Sequence, residues 1–451
     1  MQRRLYATSR PALAALVKKP KIVIVGAGWA GFRVATDIDK AKFNVELVSP
    51  RNHFLFTPLL PSTAVGTLEF RTIQEPVRTI PNLSYHQASV ESIDFVNSKV
   101  TCVDSFKTGH HFDLPYDALV VATGCETATF DVPGVIGNER VMFLKQLSDA
   151  RAIRSRLIDC FERASSPACS ADEAKRLLTF VVVGGGPTSV EFTAELYDFL
   201  KGDVRRWYPD LHDKVNIYLF EASGNILGAF HTKLVTYVES LFFKRNIHVM
   251  TKTAVAKVDG NDVHLADGTV MSFGLMVWST GIKQLQLIQS LDGIAKFPTG
   301  RLKVDDHLRL LSGSDTTLLT TSKVFAMGDC AGHESKPLPA LAQVASQQGI
   351  YLAEALNLHG LEGLWNAKGQ GFYYSHLGAM ASVGQWKGVY DSTNVKVGDK
   401  EVSAGPLSGF AAFALWRAAY WTKQVSVQNK VSAPGNEFVY FISLIPPLFR
   451  S

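Results

Sequence analysis

The chain has 451 residues, 46% of them hydrophobic and 19% charged, with a formal net charge of +5. That length is enough for two or three domains, each with its own core. The five cysteines (Cys102, Cys125, Cys160, Cys169 and Cys330) contain no CxxC pair, so neither a disulfide framework nor a metal site is expected.

The excess charge lies at the start. Residues 1–19 hold Arg3, Arg4, Arg10, Lys18 and Lys19 and no acid, which leaves the rest near neutral and argues against a nucleic-acid surface. With Leu5, Tyr6, Leu13, Leu16 and Val17 between the charges, this stretch reads as a mitochondrial targeting segment.

Residues 21–25 are an apolar strand running into Gly26, Gly28 and Gly31, the spacing of a pyrophosphate-binding turn. Gly26 permits the tight turn, Gly28 lets backbone approach a diphosphate, and Gly31 lets helix and strand pack closely, while the helix N-terminus faces the phosphate charge. A helix over residues 30–40 and a strand over 43–48 complete half of a doubly wound unit. The acid that usually binds a ribose is missing from the end of that second strand. Glu46 lies inside it, and Ser49 stands at the end, where a hydroxyl can still bond a ribose. Residues 116–124 form a buried-type strand closing on Thr123 and Gly124.

The polar stretch 162–175 reads as a surface connection. A second fingerprint follows: an apolar strand over 180–183, then Gly184, Gly185 and Gly186, with Ser189 in the place of the third glycine. Glu191, two residues on, is placed either to contact a nicotinamide or simply to favour a helix N-terminus. Residues 198–214 lengthen the link to a strand over 215–220. Glu221 at its end suits a ribose 2′-hydroxyl and repels a 2′-phosphate, which favours NADH over NADPH. Residues 275–281 repeat the apolar run closing on Thr280 and Gly281.

Two such crevices in one chain call for two adenine dinucleotides, naturally a flavin and a nicotinamide. Residues 322–331 end on Gly328 and Asp329, whose carboxylate can accept from flavin ribityl hydroxyls. The stretch 338–348, with Ala342 and Gln343, starts a helix whose amides can face the flavin ring. Cys125 and Cys330 are isolated, so no dithiol acceptor is read beside it.

Residues 402–451 carry only Arg417, Lys423, Lys430, Glu437 and Arg450 as charges. An apolar helix over 407–424 and a second apolar run over 438–445 both fall short of the roughly 20 residues a membrane span needs. They read as an interfacial anchor with Trp416, Tyr420 and Trp421 at the lipid boundary, or alternatively as a core helix or dimer seam. An anchor combined with a flavin and no dithiol points to a lipid-soluble acceptor, a quinone.

The expected fold is therefore α/β, with two Rossmann-like nucleotide-binding domains of the two-dinucleotide-binding flavoprotein type and a C-terminal membrane-associating segment. The nicotinamide domain is nested: targeting segment 1–19, FAD domain 20–139 and 284–401, NADH domain 140–283, and anchoring and possible dimerisation segment 402–451.

Over residues 20–451 the sequence resembles the type II NADH:quinone oxidoreductases. The most specific stretch is Val48, Ser49, Pro50, Arg51, Asn52, His53, Phe54, Leu55, Phe56, Thr57, Pro58, Leu59, Leu60 and Pro61, continuing to Glu69. The resemblance implies a single-subunit enzyme passing electrons from NADH through tightly, non-covalently bound FAD to ubiquinone without proton pumping. The targeting segment and the apolar end place the protein peripherally on the inner mitochondrial membrane, and a homodimer is expected. Ser49 is a familiar variant in the eukaryotic branch.

By the same resemblance Gly26, Gly28, Gly31, Ser49, Asn52, Thr57, Thr123, Gly124, Asp329 and Ala342 serve the flavin, and Gly185, Glu191, Glu221 and Gly281 belong to the NADH side. Glu191 and Gln343 are the residues assigned to the chemistry. No calcium-binding insertion is visible. The competing readings are a soluble NAD(P)H-dependent ferredoxin or rubredoxin reductase and a non-catalytic NADH-sensing interaction protein.

Overall fold

The structure is a computed structural model that describes residues 18–423, apart from residues 108, 314–315, 394, 398–399 and 402–404. The targeting segment up to residue 17 and the apolar run 438–445 lie outside the described residues.

The first unit opens with β1 (Lys21–Val25), α1 (Trp29–Asp37), β2 (Asn44–Val48), β3 (Ser84–His86) and β4 (Ala118–Val121). The second follows as β5 (Val141–Phe143), α2 (Leu147–Ser165), α3 (Ala171–Leu177), β6 (Thr179–Val183), α4 (Pro187–Phe199), β7 (Asn216–Phe220), α5 (Thr232–Lys244), β8 (Ile247–Met250) and β9 (Leu275–Trp278). The chain then returns to the first sheet through β10 (Val324–Ala326), runs along α6 (Ala342–Trp365), and ends its described part in β11 (Ala379–Ser382), β12 (Gly388–Asp391), β13 (Leu407–Gly409) and α7 (Phe410–Lys423).

The two five-stranded sheets are parallel and built alike: β10-β4-β1-β2-β3 and β5-β9-β6-β7-β8. Ile22, Val23 and Ile24 are fully buried, as are Leu119, Val120 and Val121. Such unbroken apolar runs suit strands covered on both faces, which parallel sheets require. A third, antiparallel sheet, β11-β12-β13, carries α7 on top.

Three local expectations are corrected. The stretch 162–175 is not a bare connection: α2 continues to Ser165, and α3 begins after Ser170, whose hydroxyl caps it by accepting from the Glu173 amide at 3.2 Å. Glu173 then pairs with Arg163 and Arg176, so polarity here marks a solvated helical face. The stretch 198–214 begins inside α4 and continues as a wide π-type turn over Leu200–Val204 and a helical turn over Arg205–Trp207. Residues 407–409 are a strand rather than the start of the C-terminal helix.

Candidate active site

Strand register makes the two glycine turns equivalent. In the first sheet Val25 lies opposite Val48, and the Gly26 amide donates to Val48 O at 2.8 Å. In the second, Val183 lies opposite Phe220, and the Gly184 amide donates to Phe220 O at 2.8 Å. The two glycines have φ of +107° and +109°, and a Cβ on either would come within 2.3 Å of Ala122 O or 2.4 Å of Ser279 O. Only glycine can occupy these positions. Gly31 is fixed by space: a Cβ there would lie 2.0 Å from Gly26 O. At the second turn Ser189 is accommodated, fully buried, with its hydroxyl donating to Ser279 O at 3.1 Å.

The same register sets Ser49 and Glu221 at matching places. Glu221 accepts from the Gly185 amide at 2.5 Å and from the Ser223 amide at 2.6 Å. A Cβ on residue 185 would lie 2.7 Å from the carboxylate, so the additional glycine makes room for the acid. At the first turn Ala27 takes that place, and the Ser49 hydroxyl accepts from the Arg51 amide at 3.2 Å. Glu46 does not substitute for the missing acid, because Lys21 and His86 hold it at 2.8 and 3.2 Å.

A cavity of about 1100 Å³ opens at the first turn, lined by Gly26, Gly28, Ser49 and Thr123. Arg51 and Lys145, which the sequence reading did not single out, line it as well. Arg51 donates to Gln146 Oε1 at 2.9 Å, and a Cβ on Gly28 would sit 3.9 Å from its guanidinium. Gly124, at φ +72°, follows Thr123 out of β4. Thr57 accepts from the Trp29 indole at 3.0 Å, and Asn52 Oδ1 lies 2.9 Å from His53 Nδ1. The Thr57 bond ties the 48–61 segment to α1.

Asp329 sits in a short turn after β10. The Gly328 amide donates to Gln348 Oε1 at 2.8 Å, which docks that turn on α6. Asp329 accepts from the Cys125 thiol at 3.2 Å, with Lys145 Nζ 3.9 Å away. All five cysteines are free, and burial, with the Asp329 charge, pushes the Cys125 thiol up to about 12. Burial raises Cys330 as well. Such thiols stay protonated at neutral pH. The helix expected from residue 338 begins at Ala342. Gln343 donates to Gly378 O at 3.0 Å and accepts from the Tyr374 hydroxyl at 3.4 Å. Gly281 O accepts from the Ala128 amide at 2.9 Å, close to the Thr280 hydroxyl's bond to Ala128 O.

Glu191 lies in the seam between α4 and the third sheet. It is 8% exposed and accepts from the Ser382 amide at 3.1 Å. Burial pushes its carboxyl up to about 8, against the pull of the Ser382 amide and the Trp416 indole. The Ser382 partner was invisible to spacing arguments because it arrives from a strand 191 residues downstream.

A family model described as pyridine nucleotide-disulphide oxidoreductase matches residues 20–349, and one described as NDH2 C-terminal domain matches residues 376–438. A probable NADH dehydrogenase of Dictyostelium discoideum is 41% identical over 423 residues, covering 93% of this chain and 89% of that protein. A mitochondrial internal alternative NAD(P)H-ubiquinone oxidoreductase A1 of Solanum tuberosum is 40% identical over 437 residues, covering 92% and 85%. The structure of NDH2 from Plasmodium falciparum in complex with NADH superposes with a TM-score of 0.83 at 25% identity, covering 94% of this chain and 98% of that one. The chain belongs to the type II NADH:quinone oxidoreductases.

In this type II oxidoreductase the C-terminal helix differs from the expected anchor. Trp416 is only 2% exposed, and Tyr420 packs edge-on against Phe56 with centroids 5.8 Å apart. The rings form a run from the flavin-side segment to the helix: Trp29 to Phe56 at 5.2 Å, Tyr420 to Trp416 at 4.9 Å, and Trp416 to Phe413 at 5.7 Å. Trp416 and Tyr420 therefore face the enzyme, not lipid. Among the described side chains, the large apolar ones that α7 leaves outside are Phe410, 67% exposed, and Leu415, 41% exposed. The side chain of Trp421 lies outside the described residues. Among the described residues no helix is long and apolar enough to cross a membrane.

Proposed function

We propose that this chain is a mitochondrial, peripheral membrane enzyme that oxidises NADH and reduces ubiquinone without pumping protons. The observation that carries the reading is the pair of matching glycine turns, one opening on the large cavity and one closed over by Glu221. FAD fits the first: Gly26 and Gly31 leave no room for a side chain, and Gly26, Ala27 and Gly28, just ahead of the N-terminus of α1, line a cavity of about 1100 Å³. When bound, the flavin accepts a hydride from NADH and gives two electrons to the quinone.

The chain's own residues bind and orient. Gly26, Gly28 and the start of α1 hold a diphosphate, Ser49 and Thr123 line the same cavity, and Asp329 presents a carboxylate beyond β10. Asn52 and Thr57 hold the 48–61 segment in place, and Ala342 opens α6, on which the Asp329 turn is docked. Gly185 and Glu221 take the NADH ribose, with Gly281 on the facing strand end. Gln343 orients the quinone head, and Glu191 Oε holds a proton in a dry seam for it. Residues 20–139 with 284–401 form the flavin domain, and residues 140–283 form the NADH domain. The C-terminal part attaches to the inner membrane surface, supported by the exposed Phe410 and Leu415. The working form is a homodimer.

Turnover of the purified chain with NADH and a quinone, a ferredoxin or a disulfide as acceptor tests the reading. Rapid turnover with quinone alone is expected, and a faster rate with either protein-type acceptor would overturn it. Sedimentation in detergent tests the dimer.

A further inference from the structure

Glu191 is not the only acid of its helix with a buried carboxylate oxygen. Asp198 lies seven residues on, two turns along the same face of α4, and both carboxylates grip one hairpin turn. Glu191 accepts from the Ser382 amide at 3.1 Å, and Asp198 accepts from the Gln385 amide at 2.7 Å. Arg245, at the C-terminal end of α5 and only 7% exposed, donates to Val383 O at 2.5 Å and to Gly384 O at 3.3 Å. Four consecutive residues, 382 to 385, are thus held by three side chains of the NADH-side unit.

The turn is packed closely against these side chains. Gly384 has φ +73°, and a Cβ on it would lie 2.9 Å from Asp198 Oδ2, 3.0 Å from Ala194 O and 3.2 Å from Arg245 Nη1. Gln385 and Trp386 both adopt positive φ, 52° and 59°, in a tight turn that ordinarily favours asparagine and glycine. Bulky residues remain in such a conformation only where the surroundings hold them there. The Arg245 fork on the two carbonyls and the Asp198 carboxylate on the amide supply that hold.

We propose that Asp198 and Arg245 are positioning residues for the quinone-reducing half of the reaction: by fixing the turn they keep the Ser382 amide on Glu191 and so set how tightly that carboxyl keeps its proton. An amide donated to a carboxylate favours the charged form, so a loosened turn leaves Glu191 holding its proton more firmly. The groups facing Asp198 are Arg245 from α5, Lys387 from beyond the turn and Tyr197 beside it on α4. Tyr237 of α5 also faces Arg245. Tyr420 of α7 faces Glu191. The inference rests on the role of Glu191 proposed above.

The test is the rate at which ubiquinone reoxidises the NADH-reduced, FAD-loaded full chain, followed across pH in Asp198→Ala, Asp198→Asn, Arg245→Lys and Glu191→Gln. Asp198→Ala should move the midpoint of the pH profile upward by about one unit, a roughly tenfold tighter hold on the proton. Asp198→Asn keeps an acceptor for the Gln385 amide and should restore most of the wild-type midpoint. Arg245→Lys keeps the charge but loses the fork, and should shift the midpoint in the same direction. The NADH half-reaction should be unchanged in all three. Should Asp198→Ala fail to retain FAD, the Arg245→Lys midpoint decides alone. Wild-type midpoints in Asp198→Ala and Arg245→Lys, with the pH step lost in Glu191→Gln, would overturn this proposal while leaving the Glu191 assignment standing. A pH step that survives in Glu191→Gln would overturn both.

Discussion

Glu221 and Ser49 occupy matching places in the two sheets, yet the residues beneath them differ: Gly185 clears space for a carboxylate, whereas Ala27 suffices under a hydroxyl. The acid should therefore govern nucleotide choice. Glu221→Gln removes the repulsion of a 2′-phosphate, and the NADH-to-NADPH ratio of kcat/KM is expected to fall about tenfold, roughly 1.4 kcal/mol of discrimination. An unchanged ratio would remove Glu221 from this role. Gly31 makes a steric prediction of the same kind, since Gly31→Ala drives a methyl into Gly26 O. The variant should lose FAD and about 1–3 kcal/mol of stability, measurable as bound flavin per chain and as the denaturant midpoint. Glu191 predicts a pH effect whose sign is fixed by its surroundings. In the folded chain its carboxyl keeps a proton up to about pH 8, whereas an unfolded glutamate loses it near the ordinary value of 4.5. Between these values the folded state binds more protons, so stability falls as pH rises through that window. Glu191→Gln should flatten this dependence, and a parallel slope in the two proteins would contradict the burial described.

At the scale of elements, the glycine turns and the strands around them could be read directly from residues, because the turns need glycine for steric reasons and the strands are unbroken apolar runs. The positions of Gly26, Gly28, Ser49 and Thr123 around one cavity follow from that reading. What could not be read were contacts made across long separations: Ser382 on Glu191, Arg245 on the 383–384 carbonyls, and Phe56 on Tyr420. The C-terminal helix shows the limit most clearly. A helix apolar almost all round is consistent with lipid or with protein, and only its placement on β12 and against Phe56 shows which rings are inside. Trp416→Ala should accordingly cost about 3–5 kcal/mol as a core truncation, while Phe410→Ala should stay within about 0.5 kcal/mol, as surface changes do. Vesicle flotation should show the reverse order, with Phe410→Glu and Leu415→Glu weakening attachment and flavin reduction by NADH unaffected. Equal unfolding costs for Trp416→Ala and Phe410→Ala would contradict this division of the helix.

The whole molecule is one nucleotide-binding plan used twice, with the second sheet inserted in the sequence of the first and the C-terminal sheet and helix closing over both. The repeated order β4-β1-β2-β3 and β9-β6-β7-β8 gives each nucleotide its own turn, and the aromatic run from Trp29 through Phe56, Tyr420 and Trp416 joins the first turn's helix to the end that faces the membrane. In the proposed function both halves of the reaction pass through the flavin, and Glu191, Asp198 and Arg245 of the NADH-side unit act on the quinone half. The most direct measurement is therefore anaerobic double-mixing of the FAD-loaded chain, first with NADH and then with ubiquinone, following the visible absorbance of the flavin. Bleaching by NADH at a rate no slower than turnover, followed by full recovery on adding ubiquinone, is the predicted result. Flavin that NADH cannot bleach, or that stays bleached in the presence of ubiquinone, would contradict it.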